Sequence, residues 1–181
     1  MKTSIESDRL IFRELRESDD VALFALDSDP EVVKYVGQKP STNIEQTRDL
    51  ITNIRQQYID YGIGRWAAIE KDTNEVIGWA GLKFIKKLNG FENNYDLGYR
   101  FKKSAWGKGY GFESAKTWIE FGFDEMHLER ISAYVDIQNK ASVKILEKCG
   151  MRLVNTFIDE GDLCGWYEIL NPNKTLGHRS S

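Results

Sequence analysis

Asp96-Leu-Gly-Tyr-Arg-Phe-Lys-Lys-Ser-Ala-Trp-Gly-Lys-Gly-Tyr-Gly-Phe-Glu113 is the stretch on which the reading of this 181-residue chain turns. A strand runs into a glycine-rich turn, and the turn opens a helix. Gly107, Gly109 and Gly111 alternate at the helix start. Glycine lets a backbone approach a ligand closely and take positive φ. The first turn of a helix leaves N–H groups unpaired at the positive end of the dipole. Together these make a seat for a phosphate or diphosphate, and Lys102, Lys103 and Lys108 add positive charge beside it. A Walker A loop is excluded, because Gly109 follows Lys108 where Ser or Thr is required. A dinucleotide fingerprint fits poorly: the spacing is G-x-G-x-G, late in the chain, after strands that read as antiparallel. The same glycines also suit a tight turn with close helix–sheet packing, and spacing alone leaves both readings open.

Working outward, Arg9 to Leu15 reads as a first strand. Val21, Leu23, Phe24 and Leu26 give Ser18 to Asp27 a helical apolar set, and Asp29-Pro30 opens a further piece ending at Gly37. Thr42 and Glu45 have capping-box spacing for a longer helix with Ile44, Thr47, Leu50, Ile51, Ile54 and Tyr58 on one face; Gly62 and Gly64 stop it. Arg65 to Glu70 and Val76 to Ile85 flank a polar turn, and Asn89-Gly90 is a hairpin signal before the strand Tyr95 to Phe101. A helix is expected from Gly107 to Phe123, with Ala115, Trp118, Ile119 and Gly122 on one stripe. The strand Arg130 to Asp136 follows, then a helix from Asn139 to Cys149 with Val143, Leu146 and Cys149 inward. Met151 to Ile158 and Leu163 to Leu170 complete the set, and 171–181 reads as a frayed tail. This is an α+β order around one central sheet of about seven strands. With no repeat or linker visible, residues 1–181 read as a single domain with its core at about 8–170.

Composition narrows the function classes. Hydrophobic residues at 41% and charged residues at 29% suit a globular chain, and nine Phe, eight Tyr and five Trp supply a core. A net charge of -3 argues against nucleic acid as the partner. No apolar run is long enough to span a bilayer, and no secretory signal opens the chain, so a cytoplasmic protein without a membrane partner is expected. Cys149 and Cys164 lack any C-x-x-C spacing; whether they lie near enough for a bridge is not readable. No His/Cys/Asp cluster suggests a metal, and His127 reads as a surface residue.

Trp106-Gly107-Lys108-Gly109-Tyr110-Gly111 resembles the acyl-CoA signature of the GNAT family of N-acetyltransferases: Gln or Arg, two residues, Gly, one residue, then Gly or Ala. Trp106 departs from that pattern at the Gln/Arg position, in the manner of the ribosomal-protein N-acetyltransferase (RimJ/RimL-like) branch. Asn139-Lys-Ala-Ser142-Val-Lys-Ile-Leu146-Glu-Lys-Cys-Gly150-Met151 is similar to a second segment of that branch, and Asp8-Arg9-Leu10 with Arg13 to its opening strand. The resemblance implies a GNAT-like domain whose mixed, mostly antiparallel sheet is flanked by helices and splayed between the fourth and fifth strands. It implies acetyl-CoA as co-substrate and an amine acceptor, a protein N-terminus or a small molecule. Members of the family are often homodimers.

Carried onto this chain, the resemblance gives Tyr99, Arg100 and Phe101 the pairing with the pantetheine arm. The amides of Gly107, Lys108, Gly109, Tyr110, Gly111 and Phe112 would hold the diphosphate. Trp106 stands beside them, and Asn139 would contact the arm or orient the loop. Ser142 would sit near the CoA sulfur and donate to the leaving thiolate. Without the family, Asn139 is an ordinary helix cap and Ser142 an ordinary first-turn residue. A neutral amine must attack the thioester, so a carboxylate base is sought; Asp96, Glu160 and Asp136 are the candidates. Tyr134 and Tyr167 are candidate cleft-lining residues. A non-catalytic acyl-CoA sensor and a nucleotide-binding module of another fold are the competing readings.

Overall fold

A computed structural model describes residues 3–35 and 39–175. Eight strands form one sheet: β1 (Ser4–Glu6), β2 (Leu10–Glu14), β3 (Arg65–Glu70), β4 (Glu75–Leu88), β5 (Phe91–Phe101), β6 (Arg130–Asp136), β7 (Arg152–Asp159) and β8 (Asp162–Leu170). Their spatial order is β1-β2-β3-β4-β5-β6-β8-β7. Every neighbouring pair is antiparallel except β5 with β6, which run parallel and meet only at Asp96 and Ser132. Beyond that point the two strands separate, at the splay anticipated between Tyr95–Phe101 and Arg130–Asp136. The extra strand is β1, whose single buried residue, Ile5, leaves too short an alternation to read.

Two helix layers cover the sheet. On one face α4 (Tyr110–Asp124) and α5 (Lys140–Lys148) bury Leu82, Leu97, Phe101, Ile131 and Leu146. Trp118 of α4 is fully buried and meets Phe12, Trp66 and Phe121 edge-on. On the other face α1 (Asp20–Asp27) and α3 (Ile44–Tyr61) set Leu23, Ile51 and Ile54 against Ala67 and Ile69. Two short helical pieces, α2 (Pro30–Val33) and α6 (Pro172–Thr175), and two 3-10 turns, Glu17–Asp19 and Lys103–Ala105, complete the described elements. Among the described residues, no helix is long and apolar enough to cross a membrane.

Several boundaries move for local reasons. The cap of α3 is Asn43 rather than Thr42: its side chain accepts from the Glu45 amide, and Gln46 reaches back to the Asn43 amide. Asn at the cap with Gln at the third helical position closes the same box one residue later. Val21 is 68% exposed, so Leu23 and Leu26 supply the buried apolar residues of α1. α4 begins at Tyr110, not Gly107, because Gly107 and Gly109 take φ of 72° and 85°, outside the helical region. The tail is anchored at its root: the Asn171 amide donates to Glu129 and its side chain to the Leu128 carbonyl. Gly37 and residues 176–181 lie outside the described residues. Both cysteines are free thiols.

Candidate active site

The site grows from β5, whose two faces and two edges differ. Main-chain groups of an antiparallel strand turn alternately to its two neighbours. The Lys102 amide donates to Ile77 on β4 (2.9 Å) and Arg100 is registered against Trp79. The amides of Tyr99 and Phe101 therefore face the other edge, where β6 has departed. Of the three residues expected to pair with an extended ligand, Tyr99 and Phe101 present main-chain groups to the gap. The backbone of Arg100 is committed to β4. The Phe101 carbonyl is taken by the Trp106 indole N–H at 2.8 Å, while the Trp106 ring stays 45% exposed. Trp106 thus ties the end of β5 to the loop.

The loop behaves as its glycines require. The amides of Gly107 through Phe112 find no acceptor among the described residues; the first helical bond runs from Glu113 to the Gly109 carbonyl. A Cβ on Gly107 would meet nothing within 4 Å, whereas one on Gly111 would lie 2.9 Å from Ile145. The unpaired amides, the dipole of α4 and open space beside Gly107 fit an anionic diphosphate. Lys108 is exposed here, but Lys102 is drawn to Glu75 at 3.3 Å. The Tyr110 hydroxyl donates to the Glu70 carboxylate, and Lys148 lies over the Phe112 ring at 4.1 Å.

The loop has a support that sequence reading does not assign, since Arg9 is matched there only to an opening strand. Arg9 donates from Nη1 to the Lys108 carbonyl (2.8 Å), and from its amide and Nε to the two carboxylate oxygens of Glu113 (2.8 and 2.7 Å). Ser7 donates to the same carboxylate. Burial pushes the Glu113 carboxyl up, but the bonds from Ser7 and Arg9 outweigh it and hold it below the usual range.

Asn139 caps α5, its side-chain oxygen accepting from the Ser142 amide at 3.1 Å. Ser142 sits beside the Tyr99 hydroxyl across the gap. Burial raises the Tyr99 hydroxyl pKa and the proximity of Ser142 lowers it, although their geometry falls short of a hydrogen bond. The Tyr99 oxygen is shielded from solvent with no hydrogen-bond partner among the described residues. An orphaned polar atom next to Ser142 and an unpaired strand edge fits a polar ligand running through the gap.

The opposite face of β5 is built from charges. Asp96, at the vertex of the splay, is 3% exposed and bonded to the Arg65 guanidinium. Arg65 reaches it by crossing Gly81 and Gly98; a Cβ on Gly98 would lie 2.5 Å from Nη2. Burial raises the Asp96 carboxyl, against the pull of Arg65 and Lys83, and its Oδ1 has no hydrogen bond among the described residues. Arg100 bonds Asp27 of α1 at 2.7 Å, and both guanidinium groups lie near the Trp79 ring. Tyr134 stands on this face at 37% exposure, its hydroxyl pushed up to about 12 by burial and then by Asp96 and Asp159.

Two further carboxylates fall elsewhere. Glu160, at φ 48°, occupies the tip of the β7–β8 hairpin. Ser132 is registered on Glu168, so Asp162 alone is about 20 Å along β8 from the level of Asp96. Glu160 is therefore not brought to Asp96 and Ser142. Asp136 is buried and accepts from the Gln138 amide at 2.8 Å, closing the turn into α5. Tyr167 is core and His127 is exposed. Sequence reading missed Arg65, Asp27 and Glu113, whose partners are 31, 73 and 104 residues away.

The chain matches the acetyltransferase (GNAT) domain over residues 9–152. It is 35% identical over 143 residues to an uncharacterized N-acetyltransferase, p20, of Bacillus licheniformis, covering 79% of each chain. Among solved structures, a GNAT-family acetyltransferase from Bacillus anthracis superposes with a TM-score of 0.78 at 28% identity, covering 93% of this chain and 98% of that one. Spermidine N-acetyltransferase of Vibrio cholerae, solved with CoA and spermine, shares the fold with a TM-score of 0.73 at 18% identity, over 93% and 99% of the two chains.

Proposed function

The chain belongs to the GNAT family and is an acetyltransferase; from that premise we propose that it takes acetyl-CoA into the gap between β5 and β6 and acetylates a primary amine. The observation that carries this is the unbroken run of free amides from Gly107 to Phe112, one short 3-10 turn beyond the unpaired edge of β5. The run would hold the diphosphate, and the main chain of Tyr99 and Phe101 would pair with the pantetheine arm. Acetyl-CoA supplies an activated acyl group. The chain supplies the rest. The free amide at Tyr99 or Phe101 donates where the carbonyl oxygen gains charge. Ser142 donates to the departing sulfur. Asp96, on the far side of β5, takes the amine's proton directly or through water. A spermidine acetyltransferase shares the fold, so polyamines are among the acceptors to offer. The two similar segments favour the RimJ/RimL-like branch, and with it a protein N-terminus.

Two measurements test this. Calorimetry with CoA, ATP and NAD should show a clear preference for CoA. Peptides, polyamines and aminoglycosides, offered with acetyl-CoA and read by mass spectrometry, should yield at least one product heavier by an acetyl group. Binding of ATP or NAD in preference to CoA would sink the reading.

A further inference from the structure

We propose that Arg9 is a positioning residue for the acyl donor: it locks the Lys108–Gly109 peptide so that the Gly109 amide faces the diphosphate. The inference rests on the acetyl-CoA reading of the loop.

In a trans peptide the C=O and the following N–H point in opposite directions, and the described residues contain no cis bond. Arg9 Nη1 holds the Lys108 carbonyl at 2.8 Å, so the Gly109 amide is aimed away from Arg9. The lock is needed because the peptide leads into Gly109, which is held at positive φ. A flip of this peptide turns on ψ of Lys108 and φ of Gly109, and glycine on the C-terminal side leaves that φ unusually free. A flip would present the Lys108 carbonyl to the diphosphate, turning a donor into a repulsive oxygen.

Arg9 is itself immobilised. Nε and Nη2 both reach Glu113 Oε2 at 2.7 Å, and the ring of Tyr110 lies under the guanidinium at 4.5 Å. Glu113 is in the first turn of α4, so the clamp ties the turn between β1 and β2 to both the loop and the helix that follows it. The planar fork of arginine makes both contacts at once, and a lysine ammonium on its flexible stem does not. Charge alone therefore does not define the role.

The experiment compares wild type with Arg9→Met, Arg9→Lys and Glu113→Gln, using acetyl-CoA and S-acetylpantetheine, which lacks the diphosphate, as donors. Arg9→Met should raise KM for acetyl-CoA about tenfold, the scale of one charge-assisted hydrogen bond. It should leave kcat and the KM for S-acetylpantetheine unchanged. Arg9→Lys should behave like Arg9→Met, and Glu113→Gln should give a smaller rise in the same direction. Equal losses with both donors, an unchanged KM for acetyl-CoA, or full rescue by lysine would each overturn the proposal. Should Arg9→Met fail to fold, the donor dependence of Arg9→Lys and Glu113→Gln decides. A wild type that favours neither donor would overturn the acetyl-CoA reading itself.

Discussion

The edge of β5 that faces the gap and the face of β5 that carries Asp96 are made of different material. On the edge, recognition is by main chain: Tyr99, Phe101 and the Gly107–Phe112 amides offer donors whatever their side chains are. On the face, everything depends on side chains, with Arg65 on Asp96 and Arg100 on Asp27, all four nearly buried. A backbone site is specified by conformation, so substitutions should act there through φ and space. An ion-paired face is specified by partners, so substitutions should act there through charge. Gly109→Val breaks the first rule most severely. It forces a β-branched residue to φ 85° with its Cβ 3.3 Å from Arg9. CoA binding should become unmeasurable by calorimetry. Gly107→Ala is the contrast: its Cβ enters open space, and only the positive φ, costing about 1–2 kcal/mol, opposes it.

The face is tested by Asp96→Asn. If Asp96 removes the amine's proton, kcat should fall by about a hundredfold, within the usual range for a general base. The pH profile separates this from mere structural loss. Burial raises the Asp96 carboxyl, and the active form is the deprotonated one. Activity should therefore rise with pH through a midpoint above the ordinary carboxylate value of about 4. Asp96→Asn should lose that limb. A variant that keeps the limb assigns the base elsewhere. Ser142→Ala comes next in size: kcat about tenfold lower, from losing one hydrogen bond to the departing sulfur, with CoA affinity unchanged. Wild-type kcat in that variant would remove Ser142 from the proton path.

The same division explains what could be read before the structure. The glycine spacing at 107, 109 and 111, the 3.6-residue stripe of Trp118 and Ile119, and the Asn89-Gly90 turn are local signals, and each lies where it was expected. The splay was carried by family resemblance alone; its physical mark is one parallel contact between strands 36 residues apart. The ion pairs were invisible for a plainer reason. Arg65 finds Asp96 only after three strands align and Gly98 clears its path, and no spacing encodes that. Glu160 shows the converse. Its acidity suggested chemistry, but Glu160-Gly161 is a two-residue turn with both φ positive, and the turn sets its position.

Trp106 joins the two regimes, because a side chain here serves the backbone site. Its indole N–H holds the Phe101 carbonyl at 2.8 Å, and its ring is partly open to solvent. Trp106→Phe keeps the aromatic face and deletes the donor. A neutral hydrogen bond contributes about 1 kcal/mol net, so KM for acetyl-CoA should rise by about fivefold while kcat holds. The direction has a competing term. Freed from the indole, the Phe101 carbonyl becomes a further acceptor on the open edge and gains a place for a ligand amide. A fall in KM would therefore mean that Trp106 restrains the edge of β5. A rise would mean that it shapes the edge, by fixing the last residue of β5 relative to the first glycine of the loop. Steady-state kinetics with varied acetyl-CoA distinguish the two, and the open strand edge ending in a fixed loop requires the rise.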